Sequence, residues 1–208
     1  MRTQPPAPLH ITGVILAGGE ARRMGGRDKG LVEVAGRPMI EYVLESLRPQ
    51  VSSVLINANR NDEFYARYGV PVIADALSGF NGPLAGMASG MRVADTPMII
   101  TVPCDSPFVP GDLVTRLAGA KQDASAEIAV ADNGERMQPV FALLDTSLLG
   151  SVEGFLARGE RKIDRWFAEH RCTSVDFSDR PETFINVNTP EEVTRVEAMI
   201  RTGKVHED

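Results

Sequence analysis

At 208 residues the chain suits one domain and leaves little room for a second full one. Hydrophobic residues at 43% and charged residues at 24% match ordinary globular usage, which excludes the disordered and fibrous classes. A net charge of −6 gains little from counterion release on a phosphate backbone, so nucleic acid is not an expected partner.

The segment 1–10 carries three prolines and no apolar stretch of signal-peptide length, so neither a signal peptide nor a membrane anchor is expected. Residues 1–10 and 203–208 read as flexible tails to one domain over 1–208. Residues 11–16 form an apolar, β-branched run that stops at Gly18-Gly19, which predicts a buried first strand. Residues 38–48 predict an amphipathic helix with Pro38 at its start and Ile40, Val43, Leu44 and Leu47 on one face. A strand over 53–56, a short helix over 62–68 and a strand over 70–74 follow. Next come a helix over 84–93 and a strand over 98–102 that ends at Pro103-Cys104-Asp105.

This alternation predicts an α/β fold, a Rossmann-like three-layer sandwich. A mostly parallel central sheet would carry helices on both faces, joined by right-handed crossovers. Past residue 110 the alternation loosens. A helix is expected over 112–117, then strands over 127–131 and 139–144 around the turn Asp132-Asn133-Gly134-Glu135. Helices over 148–158 and 163–170 follow. Strands are expected at Val175 and over 184–187, the second placing Asn186 and Asn188 on one face. A helix over 190–200 closes the chain, with Thr189 as N-cap and Glu192 in the capping-box position. All apolar stretches are far shorter than a membrane span.

In open parallel sheets, ligands bind at the carboxyl ends of the strands. Those ends bring Gly18-Gly19, Asn57, Asp75 and Asp105 to one rim. The three histidines lie outside the predicted core pattern, which argues against a catalytic triad or a histidine-based zinc site. Chemistry is left to carboxylates, lysine, arginine, backbone amides and a hard metal ion. Cys104 and Cys172 are far apart with no CxxC spacing, so no disulfide framework is indicated and a reducing cytoplasm fits.

The loop from Leu16 to Lys29 carries four glycines, three arginines and one lysine. Glycines let backbone amides approach a ligand closely, and the cations neutralise phosphate charge. No Walker A or GxGxxG pattern occurs, so this phosphate loop is of another kind. Leu16-Ala-Gly-Gly-Glu-Ala-Arg-Arg-Met-Gly-Gly-Arg-Asp-Lys-Gly30 closely resembles the signature loop of the molybdenum cofactor guanylyltransferases. In order follow Asn57-Ala-Asn-Arg60, Asp75, Gly82-Pro-Leu-Ala-Gly86, Pro103-Cys-Asp105 and Asn186-Val-Asn-Thr-Pro190, so the resemblance spans nearly the whole chain.

The resemblance implies transfer of GMP from GTP to the terminal phosphate of molybdenum-molybdopterin. The backbone of Leu16, Ala17, Gly18 and Gly19 would cradle the guanine and ribose; Asn57 and Asp75 would complete the nucleotide site. The double glycine follows the guanine pattern, where related cytidylyltransferases typically have Ala first. Lys29 and Arg23 are implied as phosphate contacts, and Asp105 as the ligand of Mg²⁺. Gly82 and Gly86 are implied at the nucleotide or pterin site, and Asn186 and Asn188 at the pterin. Cofactor-synthesis proteins and molybdoenzyme chaperones are the implied macromolecular partners. The same fold acting on CTP or a sugar phosphate stays open, as does a non-catalytic nucleotide or pterin carrier.

Overall fold

The computed structural model describes residues 9–18, 28–76 and 82–202. Its centre is a seven-stranded sheet of β1 (Leu9–Leu16), β4 (Val51–Asn57), β5 (Val72–Ile73), β6 (Met98–Pro103), β7 (Ile128–Asp132), β8 (Met137–Asp145) and β9 (Cys172–Asp176). The order across the sheet is β5-β4-β1-β6-β8-β7-β9. β8 runs antiparallel to both its neighbours, and every other pairing is parallel. The expected mostly parallel sheet is therefore present, with one reversed strand.

Five longer helices and two short ones surround it: α1 (Met39–Leu47), α2 (Asp62–Ala66), α3 (Pro83–Val93), α4 (Leu113–Asp123), α5 (Leu149–Ala157), α6 (Ile163–Phe167) and α7 (Pro190–Thr202). α1 buries Ile40, Val43, Leu44 and Leu47, the face that its apolar spacing predicts, in one core with Leu113, Val114 and Leu117 of α4. The opposite core joins Leu84, Met87 and Met91 of α3 to Val152 and Phe155 of α5 and to Trp166 of α6. Alternate strand residues feed the two cores: Ile11 and Ile15 enter the first, Val14 the second. Helices thus cover both faces of the sheet.

The last helix has the cap that its sequence predicts. Glu192 donates its backbone N–H to Thr189 Oγ1 at 3.3 Å, and Glu192 Oε2 accepts from Thr189 N at 2.9 Å. Other boundaries differ from expectation. β1 begins at Leu9, inside the segment expected as a tail; residues 1–8 and 203–208 lie outside the described residues. α4 continues to Asp123, well past the expected 117. An unforeseen hairpin, β2 (Glu33–Val34) with β3 (Arg37–Pro38), packs Val34 beside Val196 of α7.

The strand expected over 184–187 is absent. Phe184 closes a 3-10 turn, Pro181–Phe184, and the next residues run extended outside the sheet. Their ladder is replaced by one tie: Val187 N–H donates to the Asp105 carbonyl at 2.8 Å. Asn186 and Asn188 are therefore positioned by a loop, not by strand alternation.

Candidate active site

From β1 the chain moves outward to β4 and β5, then returns through α3 to β6 on the other side of β1. The connection thus reverses direction between β1 and β6, the kind of point where open α/β sheets leave a crevice. Leu16 pairs with Pro103 there, and Cys104 N–H donates to the Leu16 carbonyl at 3.1 Å. Above this point lies a cavity of about 710 Å³. Leu16, Ala17, Gly18, Lys29, Asn57, Asp75, Gly82, Asp105, Asn186 and Asn188 all line it. Four adjacent parallel strands deliver most of these residues, as the sequence predicts.

Lys29 Nζ donates to Asp105 Oδ2 at 2.8 Å and also to Asn188 Oδ1. The lysine is placed by a 3-10 turn, Lys29–Leu31, whose N-cap Asp28 accepts from Gly30 N at 3.2 Å. Asp28 is buried and also accepts from Tyr65 Oη at 2.6 Å and Asn61 Nδ2 at 2.9 Å. Three donors on one buried carboxylate fix the exit of the glycine loop. Burial also pushes the Tyr65 phenol far up, so it remains a hydrogen-bond donor. This anchor was not foreseen from sequence, although Asp28 stands next to Lys29.

Asp105 is almost fully buried, and the asparagine segment braces it. Ser106 Oγ donates to Asn186 Oδ1 at 2.5 Å, next to the tie from Val187 to the Asp105 carbonyl. Cys104 is buried, and desolvation, followed by the charge of Asp105, drives its thiol well above the usual range. It packs as a small apolar residue.

Asn57 and Asp75 form a second bonded unit. Asn57 Nδ2 donates to Asp75 Oδ1 at 3.0 Å, and Asn59 Nδ2 to Asp75 Oδ2 at 2.8 Å. Asp75 N–H in turn donates to Asn59 Oδ1 at 2.8 Å. The Asn57 amide donor is therefore engaged within the rim, at the end where the nucleotide is expected. Gly18 lies against the same unit: a Cβ there would stand 3.3 Å from Asn59 Nδ2.

Gly82 has φ +71 as the N-cap of α3, a conformation that favours glycine, and it lines the cavity together with Pro83, the first residue of that helix. Gly86 was expected at the ligand but does not line the cavity. It sits underneath, where a Cβ would come within 2.4 Å of Asn57 Oδ1 and 2.7 Å of Leu16 Cδ2. Its missing side chain lets α3 rest on the strand ends. Gly90 packs the same helix onto β1, where a Cβ would come within 2.8 Å of Val14 Cγ2. Gly19 and Arg23 lie outside the described residues.

The cavity continues past Asp105 along residues the sequence reading did not nominate: Arg136, Gln138 and Phe141 of the β8 region, and Asp164 of α6. The three from β8 carry no strand-end signal because β8 is reversed, so its beginning and not its end reaches the rim. Elsewhere, Ser151 Oγ lies 2.9 Å from His170 Nε2, and His170 Nδ1 lies 3.9 Å from Glu127 Oε2. None of the three lines the cavity, and Ser151 Oγ accepts the Trp166 indole N–H at 3.1 Å. This group joins α5 and α6 and builds no nucleophile.

No helix among the described residues is long and apolar enough to cross a membrane. The family model of the MobA-like NTP transferase domain matches residues 13–174. A Shewanella amazonensis protein named molybdenum cofactor guanylyltransferase is 53% identical over 188 residues, covering 90% of this chain and 96% of that protein. One of the same name from Shewanella piezotolerans is 50% identical over 196 residues, covering 94% and 96%. Among solved structures, the molybdopterin-guanine dinucleotide biosynthesis protein A of Archaeoglobus fulgidus superposes with a TM-score of 0.78 at 22% identity, covering 92% of this chain and 99% of that one, a likeness of fold. With the rim geometry and these relatives together, the chain belongs to the MobA-like NTP transferase family, beside the molybdenum cofactor guanylyltransferases.

Proposed function

We propose that this chain transfers GMP from GTP to the terminal phosphate of molybdenum-molybdopterin, forming the guanine dinucleotide cofactor and pyrophosphate. An acceptor phosphate oxygen forms a bond to the α-phosphorus of GTP. The bond from that phosphorus to the β-phosphate bridge breaks, and pyrophosphate leaves with the electron pair. The observation that carries the reading is the meeting of Lys29 and Asp105, 2.8 Å apart, at the point where the connection reverses inside a cavity of about 710 Å³.

The acceptor phosphate is already ionised, so no general base is required. The main obstacle is repulsion between two anions. Lys29 places a charge-assisted donor at the triphosphate, with Arg23 beside it by family resemblance. The backbone of Leu16, Ala17 and Gly18 takes the nucleoside, with Gly19 by resemblance. Asn57 holds Asp75 in place at that end. Asn186 and Asn188, tied to the Asp105 loop, orient the acceptor for in-line attack.

Mg²⁺ fits the donor set. It keeps several waters and takes one or two carboxylates plus substrate phosphates, and Asp105 offers one carboxylate in the cavity wall. Among the described residues there is no group of three His, Cys, Asp or Glu side chains placed to hold a metal without substrate. Asp105 would hold the ion, which supplies Lewis-acid neutralisation of phosphate charge. The family relationship and two free cysteines support a reducing cytoplasm as the compartment. Cofactor-synthesis proteins and molybdoenzyme chaperones fit this role as transient partners.

The test is incubation of the protein with GTP, Mg²⁺ and molybdenum-molybdopterin, followed by mass detection. A guanine dinucleotide product and stoichiometric pyrophosphate are expected. Nucleotide binding without either product would leave only a carrier, and product formation from CTP alone would overturn the choice of nucleotide.

A further inference from the structure

Gln138 is 7% exposed, lines the cavity and has no side-chain hydrogen-bond partner among the described residues. Among the described residues Asp112 Oδ1 is the enclosed side-chain atom left without a partner, so the Gln138 carboxamide opens onto the cavity, and whatever fills the cavity must replace solvent there. Its place is set by register. β6 and β8 pair Met98 with Asp145, then step by step to Thr101 with Ala142. That ladder ends at Thr101, and β8 then bulges, since the consecutive β7 residues Val130 and Ala131 pair with Ala142 and Gln138. The pairing with Ala131 holds the Gln138 backbone in the sheet.

The rim can then be followed across the sheet. Asp75 and Asn57 stand at the ends of β5 and β4, Leu16 to Gly18 at β1, Asp105 at β6 and Gln138 at β8. The nucleoside-side residues all lie on one side of Asp105, and Gln138 lies on the other. A carboxamide presents one acceptor and two donors and carries no charge. It matches poorly with a phosphate, which offers acceptors only and would leave the Gln138 oxygen unpaired. A ring edge that displays N–H and C=O side by side satisfies both of its ends.

We propose that Gln138 is an acceptor-recognition residue, its carboxamide pairing with the amide-like edge of the ring system that carries the acceptor phosphate. The inference rests on the GMP-transfer reading above, because that reading places the nucleoside on the other side of Asp105. Arg136 and Asp164 flank the same compartment and are exposed to it.

The experiment compares wild type with Gln138→Met, which keeps the length and removes the polar atoms, and with Gln138→Ala, which only empties space at a cavity wall. Two measurements are made on each: steady-state kinetics with molybdenum-molybdopterin and GTP, and fluorescence titration with a pterin monophosphate in the absence of GTP. Both variants are expected to raise the acceptor KM and weaken pterin binding about tenfold, the scale of one or two neutral hydrogen bonds. GTP KM and the unfolding midpoint should stay near wild type. Acceptor binding unchanged in both variants overturns the inference, as does an equal loss for GTP. If wild type binds the pterin monophosphate and loses it on Gln138→Met yet makes no dinucleotide, the transfer reading fails while the recognition site stands.

Discussion

Lys29 and Asp105 are 76 residues apart in sequence and share a hydrogen bond, so each prediction about one involves the other. Asp105→Ala removes a carboxylate whose side-chain partner among the described residues is a lysine still a quarter exposed. Water can replace that contact, so stability should change little. Turnover should fall by at least about 10²–10³-fold, as when a group aimed at developing charge is lost. Lys29→Ala is expected to raise the GTP KM by about ten- to a hundredfold, since charge-assisted hydrogen bonds contribute about 1.5–3 kcal/mol. Pyrophosphate-release kinetics alongside thermal unfolding checks both. Magnesium-dependent turnover retained in Asp105→Ala would remove that residue from the reaction.

The sequence marks these two residues well, because each follows a distinctive local pattern: a glycine-rich loop and an apolar strand ending in Pro-Cys-Asp. Asp28 was not singled out for the opposite reason. Nothing local distinguishes a carboxylate that caps its own turn from one on a surface, and its partners Asn61 and Tyr65 come from a distant segment. Asn57 was singled out, but its bond to Asp75 is a contact between two strand ends that no local spacing encodes.

Among the elements, α3 gives the clearest energetic contrast. Glycine in a helix interior costs up to about 1 kcal/mol relative to alanine, so an unconstrained Gly→Ala change should stabilise. Gly119 in α4 has open space where a Cβ would go, whereas Gly86 has Asn57 and Leu16. Gly119→Ala is therefore expected to raise stability by up to about 1 kcal/mol with unchanged kinetics. Gly86→Ala should lower it by about 1–3 kcal/mol through overpacking, and should raise the GTP KM because Asn57 must move. Urea unfolding and GTP kinetics on the two variants test the contrast; a Gly86→Ala protein with wild-type GTP kinetics would show that α3 does not hold the rim.

Elements with long apolar runs were legible: β1, α1, β4, α3 and β6 all fall within a few residues of expectation. Those stabilised by contacts instead of pattern were not. The strands of the β2–β3 hairpin have two residues each, too few for alternation to register. β9 is mostly exposed or half-buried, so only Val175 stood out. Residues 184–187 look like a strand because Phe184, Ile185 and Val187 are apolar and two of them are β-branched. In the fold, Phe184 instead packs edge-on against Phe141 and Phe177, with ring centroids 4.9 Å and 5.5 Å away, and Val187 bonds to the Asp105 loop.

For the whole molecule, the sole tryptophan gives a direct readout. Trp166 is fully buried in the core shared by α3, α5 and α6, and it does not line the cavity. Its emission should be blue-shifted in the folded protein and unaltered by saturating GTP. If the chain is one domain, the red shift on unfolding should coincide with loss of GTP binding in a single transition. Two separated transitions would divide the chain into independent units. The order of helices and strands was readable at this scale, and so was the convergence of strand ends. Strand direction past residue 110 was not, since a period of two says which residues share a face and nothing about which way the chain runs.

That one reversed strand has an evolutionary corollary. The end of the crevice proposed for the nucleoside is assembled from the tips of parallel strands, each committed to a crossover helix behind it. The opposite end hangs on a hairpin, the tight bend between β7 and β8, where Gly134 N–H donates to Asp132 Oδ1 at 2.8 Å. Hairpin tips tolerate exchange far better than crossover units do. Descendants of this architecture could therefore exchange one acceptor for another by rewriting that bend, while the strand tips proposed to grip the activated nucleotide stay as they are.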